Sequence, residues 1–175
     1  MWCYSGVIPA VLFLRVVIDT NVVFEGLTKQ GGAAGLIIDA WLAGFIEVYV
    51  SNALAYEYED VLSRKLSEVR WSQLQSVLGS LLNAAHFTPI YFSWRLTSPD
   101  PGDDLVIDCA MNAGAIVVTS NVRDFRSATE SLGIRVVTPI QFVVELTSGG
   151  TQILQQSQQG VAKRLKVCKK GRRNS

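Results

Sequence analysis

"RVVIDTNVVFEGL", residues 15–27, carries the reading of the whole chain. Its core, VVID (16–19), is a short, β-branched, continuously apolar run, the pattern of a strand buried on both faces. The run ends on Asp19 and breaks into the polar pair Thr20 and Asn21. A carboxylate at the mouth of a buried strand is costly unless something pairs it. The available partners are an arginine, a helix amino terminus, a proton or a metal.

Working outward, helical and strand periods alternate. GLIIDAWLAG (35–44) has helical spacing and stops at Gly44, and FIEVYV (45–50) reads as the second strand. Ser51 or Asn52 caps a helix through ALAYEYEDVLSRKL, and a second amphipathic helix spans roughly 71–85. PIYF (89–92) is a weak strand. DDLVIDCAMNAG (103–114) is a helix closed by Gly114, AIVVTS (115–120) a strand, VRDFRSATESLG (122–133) a helix, IRVVTP (134–139) a strand and IQFVVEL (140–146) a last helix. Such alternation with short loops calls for a parallel sheet with helices on both faces, an α/β fold. Trp41, Trp71 and Trp94 are assigned to its core.

The 175 residues, 49% hydrophobic, suit one domain with a full core. No apolar run nears the roughly 20 residues needed to span a bilayer. Residues 1–13 read as a leader or lead-in to the first strand, without the basic start of an export signal. Cys3, Cys109 and Cys168 are widely spaced and His86 is alone, which excludes the familiar zinc patterns and points to a reducing cytoplasm. The net charge of +1 hides an asymmetry: residues 1–162 hold 9 bases against 15 acids, about −6, while the remainder carries about +7. Residues 148–175 therefore read as a flexible basic tail, either merely solvated or suited to an anionic polymer such as RNA.

In open parallel sheets the ligand crevice lies at the carboxyl ends of the strands. Asp19 ends the first strand, Glu57 follows the second, and Asn121 and Asp124 follow AIVVTS; Asp103 starts the helix that feeds that strand. Each has an ordinary alternative: a strand-end acid for Asp19, a solvated helix face for Glu57, an N-cap for Asp103, an early helical acid for Asp124. Two carboxylates about 4 Å apart repel by roughly 4 kcal/mol at an effective dielectric of 20. A cluster of them needs a divalent cation or raised pKa values. Hard oxygens without His or Cys favour Mg²⁺ or Mn²⁺, and such an ion can activate water for in-line attack on phosphorus. Helix amino termini near Asp103 and Val122 are positioned to hold phosphate oxygens. A phosphatase with a strand-end aspartate nucleophile is the rival chemistry, but DTN lacks the second acid of the DxDxT pattern.

"RVVIDTNVVFEGL", "VSNALAYEYEDVL", "DPGDDLVIDCAMNAGAIVVTSNVRDF" and "GIRVVTPIQF" resemble, in order and approximate spacing, the motifs of the PIN-domain family over residues 14–147. The branch they resemble is that of VapC-like toxins of prokaryotic toxin–antitoxin pairs. The resemblance implies a three-layer α/β/α sandwich with a central parallel sheet, and a metal-dependent endoribonuclease using Mg²⁺ or Mn²⁺. It places the family's acids on Asp19, Glu57 and Asp103, with Asp104 the near competitor of Asp103 and Asn21 supporting the first loop. The fourth family acid reads Asn121 here, so either Asp124 supplies that carboxylate or Asn121 binds through its neutral oxygen. Thr119 and Ser120 are hydroxyl partners for the site, and Arg123, Arg126, Lys169 and Lys170 are candidate RNA contacts. A cognate antitoxin and a homodimer are the implied protein partners, with no membrane role. The departure at Asn121 also leaves open a weakened domain that binds RNA or protein without cutting.

Overall fold

The computed structural model describes residues 14–29, 31–94 and 100–148. The leader, residues 95–99, and the basic tail with Lys169 and Lys170 lie outside the described residues. Strand β1 (Arg15–Ile18) is the expected buried strand: Val16, Val17 and Ile18 are fully enclosed. It is the middle strand of a five-stranded, all-parallel sheet ordered β3-β2-β1-β4-β5, with β2 at Glu47–Val50, β3 at His86–Phe87, β4 at Ile116–Val118 and β5 at Val136–Val137. Val16 pairs with Val48 on one side and with Ile116 on the other. Helices cover both faces, giving the three-layer α/β/α sandwich.

The chain leaves β1 toward β2 and leaves β4 toward β5, in opposite directions across the sheet. The carboxyl ends of β1 and β4 therefore form the topological switch point where an open α/β sheet has its crevice. The backbone closes that edge: Asp19 N–H donates to the Val118 carbonyl (2.9 Å) and Thr119 N–H to the Val137 carbonyl (3.0 Å).

Helix α1 (Thr20–Thr28) follows β1 with no loop between, and the sequence reading had not separated it. Its VVF stretch looks like more strand, yet Asp19 takes the N-cap position and its carbonyl accepts from the N–H groups of Val22 and Val23 (3.0 and 3.1 Å). α1 packs on α2 (Gly32–Leu42), which buries Trp41. At their crossing Gly26 sits against α2: a β-carbon there would lie 2.5 Å from Ile38 Cγ1 and 2.7 Å from the Ala34 carbonyl oxygen. Trp71 and Trp94, assigned to the core with Trp41, are only half-buried.

Ser51, not Asn52, caps α3 (Asn52–Lys65), accepting from Leu54 N–H at 3.1 Å. Helix α4 (Glu68–Asn83) is capped by Ser67. Asp100 caps α5 (Pro101–Ala113) through Gly102 N–H (2.9 Å), with Pro101 in the first turn and Gly114 closing the helix at φ +60°. Asp103 is thus a first-turn residue of α5, not its cap.

Two expectations shift. The weak strand at 89–92 is absent; the pairing falls at His86–Phe87 instead, where Tyr49 opposes His86 and Val50 opposes Phe87. Pro89 has no N–H to give a ladder. The next residues are strapped to α5: Asn112 Oδ1 accepts from Tyr91 and Phe92 N–H (3.0 and 3.3 Å), and Asp108 accepts from Trp94 N–H (2.6 Å) and the Ser93 hydroxyl (2.5 Å). Residues Val122–Phe125 form turns, and α6 starts only at Arg126 (Arg126–Leu132), so no helix amino terminus exists at Val122. Contacts divide the chain into two units, 1–139 and 140–175; the described part of the second is helical, within a helix α7 of residues 139–148.

Candidate functional site

The strand-to-helix junction supplies one of the partners that Asp19 requires. Its side chain stands at the amino end of α1, where a helix favours negative charge by about 0.3–1 kcal/mol. One carboxylate oxygen also accepts from the Thr119 hydroxyl at 2.6 Å, across the β1–β4 switch point. Asp19 is only 3% exposed, and Thr119 is fully buried. Burial dominates and pushes the Asp19 carboxyl above the ordinary carboxylate range, while Thr119, the Asn21 and Thr20 N–H groups and the Asn21 amide oppose it. No Lys or Arg pairs with Asp19 among the described residues.

From Thr119 the hydrogen bonds run on. Its Oγ1 accepts from Asn121 N–H (3.0 Å), and the Asn121 amide nitrogen donates to the Asp124 carboxylate. The two candidates for the fourth position are therefore bonded to each other. Asp19, Thr119, Asn121 and Asp124 form one connected chain, while Ser120 is exposed and takes no part in it.

Glu57 reaches across to the start of α5. A β-carbon at Gly102 would lie 3.5 Å from Glu57 Oε1 and 3.4 Å from Asp100 Oδ1, so Glu57 reaches from α3 to the residue before Asp103. Asp103 is 8% exposed, whereas Asp104 and Glu57 are half-buried and Glu59 is exposed. Helix α5 packs against both α3 and β1.

The carboxylates do not close into a cage. Among the described residues no three Asp, Glu, His or Cys side chains stand together as ligands for one ion. Asp19 is engaged by Thr119 and Asp124 by Asn121, while Glu57 reaches toward Gly102 at the start of α5. The donor chemistry nonetheless fits a hard divalent cation: the set is all oxygen, and Asp19 is a buried carboxylate without a cationic neighbour among the described residues.

One residue of this region escaped the sequence reading. Tyr58, fully buried on α3, donates its hydroxyl to the carbonyl of Ile18. That bond joins the immediate neighbours of Asp19 and Glu57. Burial, then the charges of Cys109 and Asp19, hold the phenol well above its ordinary range, so it remains a donor. A tyrosine inside YEYED gives no sign of this, because the pattern shows a helix and not which turn faces the strand. Cys109, also buried, has its thiol pushed up to about 12, mainly by burial.

An acid at the β1/β4 switch point of an all-parallel sheet, with further acids on the covering helices, describes an α/β protein. The PIN-domain family model matches residues 15–123, and the chain belongs to that family. The fold is shared with solved structures of low identity. One is VapBC2 from Rickettsia felis bound to a DNA fragment from their promoter (14% identity, TM-score 0.54, covering 71% of this chain and 98% of that one). Another is FitAcB from Neisseria gonorrhoeae (19%, 0.51, 71% and 97%), and a third is PAE2754 from Pyrobaculum aerophilum (13%, 0.51, 77% and 90%). No curated protein matches the sequence.

Proposed function

We propose that this protein is a divalent-metal-dependent endoribonuclease and the toxin half of a toxin–antitoxin pair. The observation that carries the proposal is Asp19: a carboxylate 3% exposed at the switch point of a PIN fold, with no cation beside it among the described residues. Such a charge is costly to maintain and is repaid by binding a cation. Asp19, Glu57 and Asp103 are the residues that would hold Mg²⁺ or Mn²⁺, with Asp124 or Asn121 completing the set. When bound, the ion supplies a water of lowered pKa for in-line attack on a phosphodiester, leaving a 5′-phosphate and a 3′-hydroxyl.

The chain's own residues have distinct tasks. Thr119 fixes the rotamer of Asp19 from the end of the neighbouring strand, and Asn121 orients Asp124. Arg123 and Arg126 are exposed just beyond and serve as contacts for the RNA strand; Lys169 and Lys170 would add charge from the tail. Solved neighbours include the VapBC2 and FitAcB assemblies, which supports a cognate antitoxin partner; the family resemblance extends this to an antitoxin Arg or Lys near the acids and to a homodimeric toxin. No helix among the described residues is long and apolar enough to cross a membrane. We place the protein in the cytoplasm on its cysteine usage.

A second reading has its own support. Asn121 stands where the family often has an acid, and the carboxylates do not form a closed set among the described residues. This favours a weakened domain that binds RNA without cutting. A labelled RNA incubated with Mg²⁺, with Mn²⁺ and with EDTA separates the two. Product that disappears with EDTA and carries a 5′-phosphate supports the nuclease; tight binding without product supports the second reading.

A further inference from the structure

Phe87, Ile90, Tyr91 and Phe92 are large apolar residues within one short stretch, and all four stand in solvent, between 39% and 78% exposed. Taking about 200 Å² for a residue of this size, they leave roughly 480 Å² in water. Apolar patches of a few hundred Å² mark interaction sites. These side chains do not hang on a loose loop. Asn112 Oδ1 accepts from Tyr91 and Phe92 N–H, Asn112 Nδ2 donates to the Phe92 carbonyl at 2.8 Å, and buried Asp108 holds Ser93 and Trp94. The backbone that displays Tyr91 and Phe92 is therefore fixed to α5, and a partner meets it without first having to order it.

The same stretch begins at an edge of the sheet. β3 is the outermost strand on its side, and β2 takes its alternate residues: Thr88 N–H donates to the Val50 carbonyl at 2.9 Å, and His86 stands opposite Tyr49. Backbone groups alternate in direction along a strand, so the N–H and carbonyl of Phe87 point away from β2. Pro89, next on that outer side, has no N–H, which confines strand pairing here to Phe87.

Charge selects the occupant. Residues 71–94 contain no Asp, Glu, Lys or Arg. A polyanion is held by Lys and Arg that neutralise its phosphates, and this stretch has none to give. About a two-fold axis each group faces its own copy, so a charge near the axis repels itself, and an uncharged patch is what such a contact needs. Antiparallel pairing at Phe87 lets each copy donate its N–H to the other's carbonyl. Two copies would remove about 960 Å² of apolar residues from water, close to the roughly 1,000 Å² that a specific interface should clear. We infer that the β3 edge and residues 87–92 form the interface between two copies of this chain, packed about a two-fold axis at Phe87. The inference rests on the homodimer of the proposed function and deepens it by naming the face; it needs neither metal nor RNA cleavage.

The test is sedimentation of the full chain up to about 100 μM, where a species of twice the chain mass should form with a Kd on the order of 10 μM. Tyr91→Glu combined with Phe92→Glu should weaken association at least about tenfold with the thermal melt still cooperative, since both residues are exposed. Val69→Glu, at an equally exposed apolar position on α4, should leave association unchanged. Amide exchange at Phe87 should slow as the dimer fills. A dimer that persists in the double variant, or a Phe87 amide that exchanges equally in monomer and dimer, overturns this face and leaves the homodimer standing. A wild-type monomer throughout the range overturns both and leaves the patch to a different protein. RNA affinity that falls in the double variant while the dimer holds also overturns the inference.

Discussion

Replacing Tyr58 by Phe removes one oxygen and nothing else from the interior. The ring stays packed in a site with no solvent exposure, so the change isolates the hydroxyl's bond to the Ile18 carbonyl. A buried acceptor that loses its donor costs about 1–3 kcal/mol. For a chain of this size each kcal/mol lowers Tm by about 2–4 °C, which gives a drop of roughly 2–12 °C. The same bond ties Ile18, beside Asp19, to Tyr58, beside Glu57, so it sets the spacing of two proposed metal ligands. Supporting residues of this kind typically change metal affinity by about 10–100-fold. Mn²⁺ binding followed by calorimetry should therefore weaken at least tenfold in Tyr58→Phe at a temperature where both proteins are folded. RNA cleavage at saturating Mn²⁺ should fall far less. Unchanged Tm together with unchanged Mn²⁺ affinity would refute the reasoning; a lower Tm with intact Mn²⁺ affinity would reduce Tyr58 to a packing role.

Asp19→Asn should abolish RNA cleavage and, without metal, stabilise the fold at neutral pH. Burial raises the folded carboxyl above its ordinary value of 3.8, so the native state holds the proton longer. Metal-free wild-type stability therefore falls as pH rises from about 3.8 through the raised value, and urea titrations across that window should show the slope vanish in the variant. Asp108→Ala frees both anchors of the segment at 93–94, at 2.5 and 2.6 Å; unfolding in urea should show a loss of at least about 2 kcal/mol, and amide exchange at Trp94 should speed up. Gly26→Ala drives a methyl to 2.5 Å from Ile38 Cγ1 and 2.7 Å from the Ala34 carbonyl, so Tm should fall by the equivalent of about 1–3 kcal/mol in a thermal melt.

Much of this protein is written in local pattern. Residues 16–18 are β-branched and uninterrupted because a strand covered on both faces has no solvent side to mark. Ser51 ahead of α3 and Gly114 after α5 end their helices by satisfying backbone groups within a few residues, so their meaning survives in one dimension. Strand order and the switch point are not written there: the favoured hand of a crossover fixes the face each helix covers, not which strands become neighbours. Where pattern failed, the deciding contact was distant. The VVF of α1 suits strand as well as helix, and only its packing against α2 and α3 resolves it. PIYF lost its strand to Asp108 and Asn112, which hold the segment from 14 to 21 residues further along the chain. That Asp19 ends a buried strand could be read from the pattern, but which oxygen faces which partner could not. Thr119 binding Asp19 over 100 residues and Tyr58 binding Ile18 over 40 are facts of packing, set by side-chain rotamers that only the folded neighbours select.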